Sequence, residues 1–176
     1  TELTESLKGL PTRTTQFGRF DKGLAYTILM KYYMHEKNWA KAEECGRELL
    51  KAEYGYGLMD RYADIFTLEN EGNKEIIFAC TEERGTNLQL WHDHALPGNY
   101  PTKNASIQKW DGYKVPWPFY RTFEEGDDRL SVLVGEYVGT DGVLFNEESD
   151  IAKHGNLYSG AVPVKYGEDP ESTGDG

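Results

Sequence analysis

From Phe17 to about His35 two apolar stripes run side by side, with Phe20, Leu24 and Ile28 in one and Ala25, Leu29, Tyr32 and Tyr33 in the other. That spacing predicts a helix apolar around much of its circumference, which needs neighbours on more than one side. The preceding residues 1–15 are polar and end in Thr12-Arg13-Thr14-Thr15, a lead-in with capping candidates. After Glu36-Lys37-Asn38, a second helix carries Trp39, Ala42, Leu49 and Leu50 on one face, with Lys41, Glu43, Glu44, Arg47, Glu48 and Lys51 elsewhere. On this reading Trp39 is a core residue. Two helices joined by so short a turn pack antiparallel. Tyr26, Leu29, Tyr33 and Ala42 also have the relative spacing of the Trp, Leu, Tyr and Ala positions of a tetratricopeptide (TPR) repeat.

Gly55 and Gly57 break the second helix, and Leu58, Tyr62, Ile65 and Phe66 predict a short third one, closed by the turn Asn70-Glu71-Gly72-Asn73. The run Glu75-Ile76-Ile77-Phe78-Ala79-Cys80 then has the pattern of a buried strand. Beyond Thr81 no long periodic segment follows, and Gly, Pro, Asn and aromatic residues dominate through Tyr120. Loops of this length in a domain are functional or disordered, and the density of tryptophan argues for order. Val132 to Tyr137 predicts one more strand before a Gly- and acid-rich tail from Asp141. The expected fold class is therefore mainly α, a TPR-like helical hairpin with a long loop-rich region and a few short strands.

Composition narrows what such a chain can bind. Of its 176 residues 13% are aromatic, an unusual supply of stacking surfaces. The net charge of −11 excludes nucleic acid and anionic membrane surfaces as partners, because both are held by clustered Lys and Arg. From Glu124 onward there are thirteen acidic residues against three basic ones, a net of −10, which reads as a solvated face or a poorly ordered tail. Cys45 and Cys80 lie too far apart in sequence for a CxxC redox pair or a zinc knuckle, and both are expected as buried thiols, with a disulfide between them the alternative. No apolar run approaches the ~18 residues of a membrane span, and no signal-like N-terminus is present.

Read in order, Gly18-Arg19, Lys22, Ala25, Leu29, Tyr33, Trp39 and Ala42, then Tyr56-Gly57-Leu58, Tyr62, Ile65-Phe66, Asn73 and Glu75-Ile76-Ile77-Phe78, resemble the middle segment of the SusD/RagB family. Phe123, Gly126, Asp127 and Arg129 resemble that family's Phe…Gly-Asp-x-Arg segment. The resemblance implies a non-catalytic, nutrient-binding lipoprotein on the outer face of the outer membrane. Such a protein captures oligosaccharides or polysaccharide and passes them to a SusC-like TonB-dependent transporter. It needs no cofactor. The signal peptide and lipidated cysteine of such precursors, and their later helical hairpins, do not occur in this sequence. The expected organisation is one partial SusD-like domain over 1–176. Within it, 16–68 form the TPR-like portion, 81–130 the aromatic-rich glycan-binding loop region and 141–176 the acidic tail. A membrane contact would come only through a lipid anchor outside this chain.

Sugars present weakly polar C–H faces and a rim of hydroxyls, so their sites combine aromatic platforms with amide, carboxylate or guanidinium hydrogen-bonders. That combination occurs in one stretch of the chain, and the candidate glycan contacts are Asn87, Trp91, Tyr100, Trp110, Asp111 and Tyr113. Trp117, between Pro116 and Pro118, is expected to fill space in the core instead. His92-Asp93-His94 offers metal-ligand types, but without a third distant ligand no metal site is expected, and no acidic cluster matches a calcium-binding loop. Two other functions compete with capture. Glu124, Glu125, Asp127 and Asp128 could supply the carboxylate pair of a glycoside hydrolase. The TPR-like groove could serve as a protein-interaction scaffold.

Overall fold

A computed structural model describes residues 2–82, 86 and 90–171, and these form two compact units. The first comprises Thr1–Met59 with Gly72–Thr81, and the second Asp60–Glu71 with Glu82–Gly176. Among the described residues, no helix is long and apolar enough to cross a membrane.

The first unit is built on a helical hairpin. A short helix α1 (Glu2–Ser6) precedes α2 (Lys22–His35) and α3 (Trp39–Leu49), which pack on each other. Both long helices start where a side chain caps them. The Asp21 carboxylate accepts from Leu24 N at 3.0 Å and from Thr14 N at 3.1 Å, and Asn38 Oδ1 accepts from Lys41 N at 3.3 Å. The TPR-like hairpin is thus present, but its core is narrower than the apolar pattern predicts. The buried residues of α2 are Gly23, Ala25 and Leu29, and those of α3 are Ala42, Cys45 and Leu49. Ile28 of one α2 stripe and Tyr32 of the other are exposed, as is Met34.

Trp39 corrects the expectation of a core residue, since it is 62% exposed. It is the first residue of α3, beside the connection, and the inward stripe passes through Ala42, Cys45 and Leu49 instead. The predicted third helix is reduced to a 3-10 turn over Tyr62–Phe66, which lies in the second unit, and Leu58 is exposed.

Residues 75–80 form turn and irregular structure in place of the predicted strand. The run starts in a turn, with Glu75 N donating to Asn73 Oδ1 and Ile76 N to Asn73 O, and the Glu75 carboxylate accepts from Met59 N. No ladder is formed along this run, and its hydrophobic residues are only half-buried.

Cys80 at the end of that run is exposed whereas Cys45 is buried, and both are free thiols. Burial, reinforced by Glu44, pushes the Cys45 thiol above its ordinary pKa. A thiol reagent at neutral pH should therefore modify one cysteine per chain rapidly, at Cys80, and Cys45 only after unfolding. Peptide mapping of the labelled site checks this; equal labelling of both would contradict the burial.

The second unit is loop-rich with short strands and helices. Its elements are α4 (Trp91–Ala95), β1 (Val115–Pro116), α5 (Trp117–Tyr120), β2 (Leu133–Val134), β3 (Glu136–Val138), β4 (Leu144–Asn146), α6 (Glu147–Ile151) and β5 (Gly160–Pro163). The strand predicted over Val132–Tyr137 is present but divided. On one side of Gly135, β2 pairs antiparallel with β5, and on the other β3 pairs antiparallel with β4.

The segment from Asp141 also departs from the expectation of a solvated tail. β5 is the central strand of a three-stranded sheet in the order β1-β5-β2, and all four of its residues are buried. Leu157, Ala161 and Val162 join Ala95, Leu96, Ile107, Trp117 and Tyr137 in the core of the unit. The acidic residues lie around this apolar strand, and one of them, the buried Asp150, accepts from Leu157 N at 2.9 Å and so fixes the approach to β5.

Candidate functional site

The aromatic-rich stretch is held in place by backbone hydrogen bonds to α4. Trp110 N donates to Asp93 O at 2.6 Å and Asp111 N to Leu96 O at 3.1 Å. Gly112 N and Tyr113 N both donate to His94 O, at 2.6 and 2.8 Å. The buried Asp93 carboxylate accepts from Gln108 N as well. Residues 108–113 therefore run over the C-terminal carbonyls of a one-turn helix and satisfy groups that such a helix leaves open. Two backbone features fit the loop to that path. Asp111 takes a left-handed conformation at φ 57°, which Asp and Asn tolerate best among non-glycine residues. A Cβ at Gly112 would lie 3.2 Å from His94 O.

This anchoring brings three of the candidate residues together. The His94 ring stacks on Tyr113, with centroids 5.0 Å apart, and meets Trp110 edge-on at 4.8 Å. Trp91, one turn before His94 on α4, lies 5.5 Å from Tyr113. Trp110 and Tyr113 are nevertheless 48% and 44% exposed, so large apolar rings stand in water on a backbone held by hydrogen bonds. Trp91 is half-buried, packs against the core and donates its indole N–H to Pro163 O at 2.9 Å. Asp111 lies in the same loop, paired with Lys114.

Tyr100 sits apart from that group. Its ring packs at 5.0 Å from Tyr137, and burial raises its phenol pKa. It lines, with Tyr166, His92 and Glu168, a cleft of about 330 Å³. Asn87 lies outside the described residues. Trp117 is buried, with its indole N–H on Leu157 O at 2.8 Å, as expected of a space-filling residue.

Two residues of the aromatic surface do not appear among the sequence candidates. His94 had a legible signal, because Trp91 and His94 at i and i+3 share one face of any helix. Tyr166 had none. It comes from the segment read as a tail, is 40% exposed, and continues the ring contacts from Trp91 at 5.5 Å to Phe66 at 5.7 Å.

Two of the four carboxylates considered for hydrolysis, Asp127 and Asp128, are engaged elsewhere. Asp127 caps the 3-10 turn Asp128–Val132 and accepts from the Arg129 backbone N–H and guanidinium, which hold its pKa down at about 2. Such a group is a poor proton donor at neutral pH. Asp128 accepts from Tyr62 N. Among the described residues, no three His, Cys, Asp or Glu side chains converge as a metal site.

The architecture is thus a helical hairpin together with a loop-rich unit that carries an exposed aromatic surface. No family model matches the sequence, and no curated protein matches it. Solved structures do. A SusD superfamily protein from Bacteroides vulgatus is 20% identical, with a TM-score of 0.64 over 98% of this chain and 37% of that one. Surface glycan-binding protein A from Bacteroides thetaiotaomicron is 19% identical, with a TM-score of 0.68 over 97% of this chain and 41% of that one. A SusD-like protein from Bacteroides fragilis is 22% identical, with a TM-score of 0.55 over 72% and 26%. The chain has the SusD-like fold, and it spans between 26% and 41% of the length of these structures.

Proposed function

We propose that this chain is the SusD-like, glycan-capturing part of a bacterial cell-surface protein, and that it binds oligosaccharide or polysaccharide without cleaving it. The observation that carries the reading is the pair of exposed rings, Trp110 and Tyr113, backed by His94 on a loop tied to α4. Exposed aromatic surface is costly in water unless a ligand covers it, and the C–H face of a pyranose is such a ligand. Asp111, between the two rings in sequence, supplies a hydroxyl acceptor, Trp91 packs beside Tyr113, and Tyr100 adds a further contact. The fold adds support, since one of its solved examples is a surface glycan-binding protein. In the whole protein the captured glycan passes to a SusC-like TonB-dependent transporter, and a lipid anchor holds the assembly at the outer membrane.

Affinity electrophoresis in gels cast with a polysaccharide panel tests the reading. At least one polysaccharide should retard the chain, and a long oligosaccharide should compete better than its monosaccharide. Trp110→Ala should weaken retention about fivefold to tenfold, the loss of about 1–1.5 kcal/mol of ring contact. Overnight incubation should leave the glycan unshortened. New reducing ends that disappear on mutating Asp127 or Glu124 would replace capture by hydrolysis.

A further inference from the structure

The charge around the aromatic surface points to which glycans it takes. The second unit carries 21 acidic and 9 basic residues, a net of −12, against 9 acidic and 10 basic residues in the first, a net of +1. Nearly all of the protein's negative potential therefore belongs to the unit that holds Trp110 and Tyr113. Within the loop the two lysines are both engaged. Lys109 Nζ donates to Tyr100 O at 2.7 Å. Lys114 is paired with Asp111, its side chain only 10% exposed while that of Asp111 is 34% exposed. Of the pair, Lys114 is the more buried side chain and Asp111, between the two rings in sequence, the more open to water.

We propose that this surface selects uncharged glycans and turns away those bearing uronate or sulfate groups, with Asp111 as the local gate. The proposal rests on the glycan-capture reading above. A neutral sugar stacking on Trp110 or Tyr113 gives its hydroxyl hydrogens to the Asp111 carboxylate. A uronate at the same place meets that carboxylate, finds the neighbouring lysines already occupied, and approaches through the field of a unit at −12.

The test uses the 176-residue chain in affinity gels cast with amylopectin, galactomannan or xyloglucan on one side and polygalacturonate, alginate or heparin on the other. All gels are run at one pH, about 8. Low salt is compared with about 1 M salt, where the Debye length falls to about 3 Å.

Retention is expected in a neutral gel and weakened about fivefold to tenfold by Trp110→Ala, with free passage through the anionic gels at low salt. Asp111→Asn, which suits the left-handed backbone there, should raise the ratio of anionic to neutral retention about fivefold, the effect of one unit charge at about 4 Å in water. Anionic gels that retain the wild type as strongly as neutral ones overturn the proposal. Neutral retention that Trp110→Ala leaves unchanged also overturns it while leaving glycan capture standing, because the site then lies elsewhere. No retention by any gel ends both. An unchanged ratio in Asp111→Asn removes the role given to that residue, and the wild-type comparison still decides the selectivity.

Discussion

Gly160→Ala should destabilise the loop-rich unit by about 3 kcal/mol or more, the range of an overpacked core that cannot relax. Gly160 opens β5 opposite Pro116. A Cβ built there would lie 2.1 Å from Val115 O and 2.6 Å from Val115 C. Both are backbone atoms of the paired strand, so no rotamer change relieves the clash. The sheet must separate β1 from β5, and it is on β5 that Ala161 and Val162 reach the core. Gly98→Ala provides the control, since nothing lies within 4 Å of the Cβ it would add, and it should change stability by less than about 0.5 kcal/mol. Denaturant unfolding followed by tryptophan fluorescence measures both, because Trp91, Trp110 and Trp117 all belong to this unit. Equal midpoints for the two variants would mean that the β1–β5 pairing is not formed as described.

β5 also shows which parts of the fold the sequence could reveal. The hairpin was legible because its causes are local: Asp21 and Asn38 cap helices whose apolar residues recur with the helical period. β5 was not. Its four residues, Gly-Ala-Val-Pro, carry no alternation and sit among acidic and glycine-rich neighbours. They are buried only because Val115 and Pro116 on one side and Leu133 and Val134 on the other pair with them across long stretches of chain. The opposite error occurred at 75–80, where a locally convincing apolar run begins in a turn, with Glu75 N and Ile76 N donating back to Asn73, and among the described residues no strand pairs with it. The aromatic surface divides the same way. Trp110 and Tyr113 stand out in sequence as rings in a polar loop, whereas the approach of Tyr166 to Trp91 depends on how β5 leads the chain back to α4.

Trp117→Ala should lower the stability of the same unit by about 3–5 kcal/mol, the usual cost of emptying the space of a buried large aromatic. Trp117 is 6% exposed, sits among Leu96, Tyr137, Leu157 and Val162, and meets Tyr120 edge-on at 5.4 Å. The substitution also leaves Leu157 O without the indole N–H that reaches it at 2.8 Å. Trp117→Phe separates the two contributions, since the ring volume is largely kept while the hydrogen bond is lost, and it should cost more than about 1 kcal/mol but less than the alanine variant. Trp110→Ala, which removes a ring that is 48% exposed, should stay within about 0.5 kcal/mol of the wild type. The two tryptophans therefore make opposite demands on one pair of measurements. Replacing Trp117 should lower the unfolding midpoint, whereas replacing Trp110 should leave it in place and reduce glycan retention. If Trp110→Ala unfolds as early as Trp117→Ala, its ring is part of the packing and the exposed surface built on it is not a binding site. If Trp117→Ala keeps the wild-type midpoint, the core placed around Leu157 and Val162 is wrong. A folded Trp110→Ala variant that binds glycan more weakly is the combination that the exposed pair of rings, in contact with His94, requires.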